Sequence, residues 1–516
     1  PESDWGGPVK ITRRWVGVAA VFMLLASAVP AFAHKSDGYL TPQDPLLALA
    51  DHLPSASSVT AIINSGDQLG DFEFRGIPDG VGIMPGPTKD TVDVFVAHEE
   101  STVPFFGFAD QQDASVSRLT LDRKTGAVLD AAVVLGPEEG FLRFCSAFMA
   151  GPDEGFDNYT FFLNEESNDV IEVPDGAAYG ADPAFAPDNL RQAGYAVALR
   201  PETGEFSIIQ GMGRLNHENT IALPNWGNRK VILTTDDTFS GPSAQLYMYL
   251  ADNEDDLWED EGSLWAFQVT AVDGHPVDPG DAFNGANDYV DLDVGEVMSG
   301  RFIPVPDDIA DGITADAPQD ALENWSNANN VFQFIRLEDL AYDRNDPHKV
   351  YIADTGRNRV VPDPATGRLM RGPTGTVGLA DNGSMFVMEF NPGNPKVVDA
   401  FYVLAQGDDP NRDAYVPFRA PDNVDTSRRS LMVQEDADDA KIWRHNLRTG
   451  GWDVVATVTD PDGESSGITW APDSFGQGHW LVTIQGHGAN VAEEVIDGVT
   501  VKTESGQLVL MRIPGT

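Results

Sequence analysis

The segment Gly213–Leu250, GRLNHENTIALPNWGNRKVILTTDDTFSGPSAQLYMYL, decides the reading of the chain. Two runs in it have strand character, Thr220–Leu223 and Lys230–Thr235, and a Pro-Asn-Trp-Gly-Asn turn separates them. Polar groups stand at one end of each: Asn216, His217, Glu218 and Asn219 before the first run, Asp236 and Asp237 after the second. Pairing as a hairpin brings Glu218 and the two aspartates to one edge. Carboxylates that close repel one another unless a cation lies between them.

The pattern recurs along the chain. Apolar runs ending in acidic or amide residues are VDVFVAHEES (Val92–Ser101), YTFFLNEES (Tyr159–Ser167), KVILTTDDT (Lys230–Thr238), KVYIADTG (Lys349–Gly356), SLMVQEDAD (Ser430–Asp438) and WLVTIQGHG (Trp480–Gly488). Several have a polar partner upstream: Glu218-Asn219, Glu338-Asp339, Asp422-Asn423 and Glu464-Ser465-Ser466. Six such units predict an all-β fold, a six-bladed β-propeller with loop and short helical insertions, in which equivalent strand ends face one central channel. The 50 glycines and 35 prolines among 516 residues favour turns over long helices. One propeller domain is expected over residues 71–516, with an insertion at about 251–330 and helices at Asp320–Phe334 and, in an N-terminal extension over 34–70, at Pro45–His52. The C-terminal LVLMRIPG is expected to close the ring beside an N-terminal strand.

A formal net charge of −48 argues against nucleic acid or an anionic membrane as partner. Residues 1–33 have the form of an export signal: Lys10, Arg13 and Arg14 precede the apolar run Val16–Leu25, and Ala31-Phe32-Ala33 offers a cleavage site. Both the general secretory and the twin-arginine route fit. A secreted or periplasmic product is expected. The sequence says nothing of oligomeric state.

The single cysteine, Cys145, excludes an intramolecular disulfide, and reads most simply as a small buried apolar group. Dinucleotide, P-loop, EF-hand, Gly-x-Ser-x-Gly and His-Glu-x-x-His motifs are all missing. The strand ends are rich in oxygen and poor in histidine, which suits a hard cation such as Ca²⁺ better than zinc. Candidate metal-binding residues are Glu99, Glu165, Glu166, Glu218, Asp236, Asp237, Glu338, Asp339, Asp422, Asn423, Glu435 and Asp436. His98 and His217 read more simply as supporting or core histidines, and Gln485 and His487 are lesser candidates. Arg336, two residues before Glu338, either neutralises a carboxylate or holds an oxyanion such as phosphate.

At these residues the chain resembles the PhoX family of secreted bacterial alkaline phosphatases. The parallels are Val-Ala-His98-Glu99, Asn164-Glu165-Glu166, Asn216-His217-Glu218, Thr235-Asp236-Asp237, Arg336-Leu337-Glu338-Asp339, Pro421-Asp422-Asn423 and Glu464-Ser465-Ser466-Gly467 to Gln485. They span roughly residues 72–490. The resemblance implies a channel with a calcium and iron cluster that hydrolyses a small phosphate monoester. Glu165, Glu218, Glu338, Asp422 and Glu435 would be ligands, and Arg336 would grip the phosphate. It also implies a thiolate iron ligand directly before the Glu-Glu pair, where this chain has Asn164, so Asn164 joins Arg336 as a candidate catalytic residue. Two other readings remain open: a non-catalytic, calcium-stabilised extracellular propeller, and a propeller hydrolase of phytate or lactones.

Overall fold

The computed structural model describes residues 38–516 except 106, 239–243 and 313–316. The expected export signal lies outside the described residues. Six four-stranded antiparallel units follow one another. Their innermost strands are Pro78–Pro85, Phe144–Ala150, His217–Leu223, Leu337–Asp343, Pro421–Thr426 and Gly463–Trp470. Each lies against the next, and the sixth lies against the first, so the ring is closed. This is the expected six-bladed propeller.

Closure uses the N-terminal region. Val499–Arg512 pairs on one side with His479–Ile496 and on the other with Ser58–Asn64, so strands from both ends of the chain share the sixth blade. Leu47–Leu49 adds a fifth strand to the fifth blade by pairing with Trp452–Val458. The segment expected as an extension with a helix at Pro45–His52 is thus woven into the propeller, and its Leu-Ala-Leu run forms a strand. Tertiary pairing overrides the local helical pattern there. Within the expected insertion, Ser263–Val272 is the fourth strand of the third blade, and Met298–Pro304 pairs with both that strand and Asn394–Gln406 of the fourth blade. The helix expected at Asp320–Phe334 runs over Pro318–Ala328.

The second strands, such as Thr91–His98 and Lys230–Asp236, are buried along their whole length because each face packs against a neighbouring blade. The apolar core lies in these interfaces: Phe95, Val116, Phe161 and Leu163 between the first two blades, and Phe162, Ala198, Ile232 and Tyr247 between the next two. Packing of this kind fixes the blades as rigid walls and leaves the first turn of each innermost strand to decide what lines the channel.

Candidate metal centre

Each innermost strand pairs with its second strand through a register shift in its first turn, between Pro78 and Val81, Phe144 and Ala147, His217 and Thr220, Leu337 and Leu340, Pro421 and Val424, and Ser465 and Ile468. A bulge of this kind bends the strand and re-aims the residues inside it. Aligned on the bulge, the residues next along are Asp79, Cys145, Glu218, Glu338, Asp422 and Ser466. Five of the six carry an acid or a thiol. All six lie at one level of the ring.

The opposite strand ends supply a second set by the same register. Pro78 pairs with His98, Phe144 with Glu165, His217 with Asp236, Leu337 with Asp354, Pro421 with Glu435 and Ser465 with Ile484. One residue further lie Glu99, Glu166, Asp237, Thr355, Asp436 and Gln485. Parity separates the two series, because successive side chains of a strand point to opposite faces. The further residues face the throat. The paired ones turn back and tie down the chain that enters the innermost strand: His98 Nδ1 lies 2.9 Å from Gly76 O, and Glu165, Asp354 and Glu435 accept at 2.9 Å from the backbone N–H groups of Leu142, Ile335 and Arg419. In all four blades the partner is the residue two before the innermost strand begins.

This parity corrects the sequence expectation at several positions. Glu165 is a latch: its carboxylate meets the buried guanidinium of Arg191 at 2.5 and 2.8 Å and the N–H groups of Gly194 and Tyr195, which leaves it nothing to offer a metal. Glu435 is taken up by Arg419 N, Lys441 N and Trp443 Nε1. Asp236 points away from Glu218, accepts from Thr238 Oγ1, and lines a small cavity with Glu323 and Asp320. Asn164 spends its amide on Ser146 O and Thr220 Oγ1, behind the wall of the throat. His217 sits behind the wall too, between Thr234 Oγ1 and Gly213 O.

Asp339 and Asn423 belong to the level below. One residue past the bulge positions lie Gly80, Ser146, Asn219, Asp339, Asn423 and Gly467, and here blade is tied to blade: Asp339 accepts from Asn219 Nδ2 and from Val424 N and Leu340 N, and Asn423 donates to Ser146 Oγ. Gly80 has no room for a side chain, since a Cβ there would lie 2.2 Å from Ala147 N.

The throat itself brings together Asp79, Glu99, Cys145, Glu166, Glu218, Asp237, Glu338, Asp422 and Asp436. Three sets of ligand atoms, Asp79-Glu99-Cys145, Cys145-Glu166-Glu218 and Glu218-Glu338-Asp422, each lie within 4.8 Å of one another. Cys145 stands at the centre, its Sγ 3.3 Å from Glu218 Oε1 and 3.5 Å from Asp79 Oδ2. Reading it as an inert apolar group missed this. A signal was present: Phe-Cys-Ser and Ile-Pro-Asp place Cys145 and Asp79 at the strand position that Glu218 and Glu338 occupy.

Asp79 Oδ1 and Asp422 Oδ1 are buried without a hydrogen-bond donor among the described residues, and Glu338 Oε1 is buried 3.2 Å from the Arg336 guanidinium. Burial pushes Glu218, Glu338, Asp422 and Asp79 well above the usual carboxylate range, and their mutual repulsion adds to it. Asp436 is pushed up to about 8, chiefly by the Glu464 charge beside it. Burial and the charges of Asp79 and Glu218 also push the Cys145 thiol well up. A site built from carboxylate oxygens, two of them orphaned, fits hard cations, while the one sulfur suits a softer ion.

Two cations enter this wall. Arg336 is held by Asp237, Nε at 3.0 and 3.1 Å from its oxygens and Nη2 at 2.5 Å, and Nη2 also lies 3.2 Å from Glu338 Oε1. Its side chain keeps 19% of its surface, and Nη1 lies 3.9 Å from Asp436 Oδ2. On the far side His487 Nδ1 lies 2.5 Å from Glu504 Oε2 and its Nε2 3.7 Å from Glu464 Oε1. Partial desolvation would discharge His487, whose side chain keeps 38% of its surface, but the two carboxylates outweigh it and push it up to about 11. Gln485 donates to Asp79 Oδ2 and Glu99 Oε2.

The model of the alkaline phosphatase PhoX family matches residues 152–476. The chain belongs to the PhoX alkaline phosphatase family. It is by that membership a phosphoric monoester hydrolase of a metal-dependent kind, with small phosphorylated molecules as substrates. No curated protein matches the chain. Among solved structures, Pseudomonas fluorescens PhoX in complex with vanadate, a transition state analogue, is similar at 15% identity over 92% of this chain and 97% of that one, with a TM-score of 0.58. The GH93 alpha-L-arabinofuranosidase of Fusarium graminearum with arabinobiose aligns at 8% identity over 87% of this chain and 97% of that one, with a TM-score of 0.37. The PhoX match supports the propeller fold. The matched family residues take in Glu166, Glu218, Asp237, Arg336, Glu338, Asp422 and Asp436, whereas Asp79, Glu99 and Cys145 lie before them.

Proposed function

We propose that the throat is the active site of a secreted phosphomonoesterase, loaded with calcium and, at Cys145, with iron. The observation that carries this reading is the convergence of Asp79, Cys145, Glu218, Glu338 and Asp422, one from each of five blades, around the partly exposed Arg336. Calcium ions would be held by Glu218, Glu338, Asp422, Glu166 and Asp436, with Asp237 beside them. Iron would be held by the Cys145 thiolate with Asp79, Glu99, Glu166 and Glu218. Bound there, the cations supply Lewis acidity to phosphoryl oxygens and activation of an attacking oxygen.

The chain's own groups do the rest. Arg336 would meet the phosphoryl group, and Asp237 holds its Nε and Nη2, so little side-chain freedom would be lost on binding. Gln485 keeps Asp79 and Glu99 pointed inward. The Asn219–Asp339 pair and the Asn423–Ser146 pair form a floor beneath the throat. The vanadate bound in the Pseudomonas fluorescens protein supports a phosphoryl-transfer reading of the same fold. Secretion rests on the Lys10 to Ala33 pattern; among the described residues no helix is long and apolar enough to cross a membrane.

The test is elemental analysis of the natively purified protein followed by assay on p-nitrophenyl phosphate. Calcium and iron are expected together, EDTA is expected to abolish turnover and lower the melting temperature by about 5–15 °C, and added calcium to restore both. Cys145→Ser is expected to lose iron while keeping calcium. A fully metal-loaded protein that hydrolyses no monoester would remove the reading, and a melting shift without turnover would leave a structural calcium propeller.

A further inference from the structure

Three arginines lie in the segment that follows the throat residue Thr355 on the fourth blade, with the Asp381 carboxylate beside the Arg359 backbone, in a chain whose net charge is −48. Directly after the throat residue Thr355 the chain runs Gly356-Arg357-Asn358-Arg359 into the hairpin of Val360–Pro362 and Leu369–Arg371. Gly356 takes φ +72°, and a Cβ there would lie 2.4 Å from Ala380 O, so this turn is open only to glycine. The hairpin register sets Arg371 opposite Val360, one residue from Arg359. Arg371 Nη2 donates to Asn358 Oδ1 at 2.8 Å, and Arg359 Nη1 donates to Thr374 Oγ1 at 3.2 Å. Arg357 N donates to Ala380 O at 2.8 Å. The backbone that carries the three arginines is thereby pinned.

Arg357 is half-buried, yet among the described residues its guanidinium has neither an ion pair nor a hydrogen-bond acceptor. Its charged neighbours are Arg336, Arg371, Asp237 and Arg359. Arg191 and Arg214, which are more deeply buried, are treated differently. Arg191 is paired with Glu165 and Arg214 with Asp182. Asp237 is already spent on Arg336. A partly desolvated guanidinium held among three others is unfavourable in isolation, and an anion arriving from outside removes that cost.

We propose that Arg357, Arg359 and Arg371 form a second anion subsite at the rim of the throat, which selects phosphate monoesters that carry a further anionic group away from the scissile phosphate. The ligand chemistry is a phosphate or a carboxylate. This rests on the phosphatase reading of the throat, and it narrows the substrate class to doubly anionic monoesters. Arg336 meets the scissile group, and Arg357 meets the distal charge. In a molecule otherwise repellent to anions, the rim is also the point of entry.

The test compares metal-loaded wild type, Arg357→Ala and Arg357→Lys. One measurement is kcat/KM for fructose 1,6-bisphosphate, 3-phosphoglycerate and p-nitrophenyl phosphate. The other is calorimetric binding of fructose 1,6-bisphosphate against inorganic phosphate. Wild type is expected to favour the doubly anionic ligands by about tenfold in both, with the preference shrinking in high salt. Arg357→Ala is expected to reduce that preference to about twofold or less, and Arg357→Lys to restore part of it. Preference for fructose 1,6-bisphosphate alone assigns the subsite to phosphate, and preference for both assigns it to either anion. An unchanged ratio in Arg357→Ala, or no preference in wild type, overturns the subsite. Absence of turnover on every ester sinks the phosphatase reading instead, and the calorimetric ratio then still decides the subsite.

Discussion

The two ends of the propeller channel treat their acids in opposite ways. At the throat, Asp79 and Asp422 each keep a buried oxygen without a donor among the described residues. The opposite end opens into a cavity of about 660 Å³ whose end wall includes Asn219 and Asp339. There Asp425 accepts from Arg344 Nη2 at 3.1 Å and from Trp470 N at 2.7 Å, and Glu154 accepts from Tyr342 OH at 2.6 Å and Gly151 N at 2.9 Å. Protein donors satisfy the acids at one end, while at the other Asp79 and Asp422 keep oxygens open to a cation. The same six strands build both ends, so the difference lies in which side chains their first turns carry.

The largest expected effect comes from removing a throat ligand. Glu338→Gln should lower kcat/KM on p-nitrophenyl phosphate by about two to three orders of magnitude, with the far-ultraviolet circular dichroism unchanged. Asp425→Asn, at the other end, should leave turnover in place and lower stability by about 1–2 kcal/mol in urea unfolding. Equal loss of activity in both would erase the contrast between the two ends.

Next in size is the latch series. Glu165→Gln leaves the Arg191 guanidinium buried and uncompensated, and should lower stability by about 3–5 kcal/mol while calcium content stays as in wild type. Loss of a bound metal in that variant, with stability intact, would put Glu165 back in the throat.

The smallest effect is a pH slope that metal should flatten. In the metal-free fold Glu218, Glu338 and Asp422 hold protons that the unfolded chain would release near pH 4, and Asp436 keeps its proton up to about 8. The folded state then binds more protons than the unfolded state, so stability falls as pH rises from about 4 to about 8. His487, raised to about 11, adds to the same downward slope above its ordinary pKa. EDTA-treated protein should therefore melt at a higher temperature at pH 5 than at pH 8, and calcium should remove most of the difference. A metal-free melting temperature that climbs with pH would contradict the crowding of carboxylates in the throat.

Much of the site was legible because strand ends that finish in Glu-Glu, Asp-Asp or Glu-Asp are rare decorations, and they occur here at matching places. What remained illegible was which member of each pair faces inward. Glu165 and Glu166, Asp236 and Asp237, and Glu435 and Asp436 are chemically alike, and only the pairing register with the innermost strand gives one to the latch and the other to the throat. Asp79 and Cys145 were passed over for a related reason: nothing local distinguishes them from a turn aspartate and a core cysteine until the bulge re-aims them. Glu464 was visible as a polar partner upstream of the last strand end, but its link to His487 depends on the register in which the two strands pair.

The sequence by itself determined the class of fold and the chemistry of the walls. Alternating apolar runs can be buried only as strands, the repeat of turn residues requires several equivalent units, and so many oxygen ligands at strand ends call for hard cations. Tertiary structure decided the assignments. The closing strand Ser58–Asn64, the latch role of Glu165 and Glu435, the central place of Cys145, and the arginine rim beside Arg336 all depend on side-chain parity and on contacts between blades. A one-residue change of register would reverse them while leaving the hydrophobic pattern of the individual strands in place.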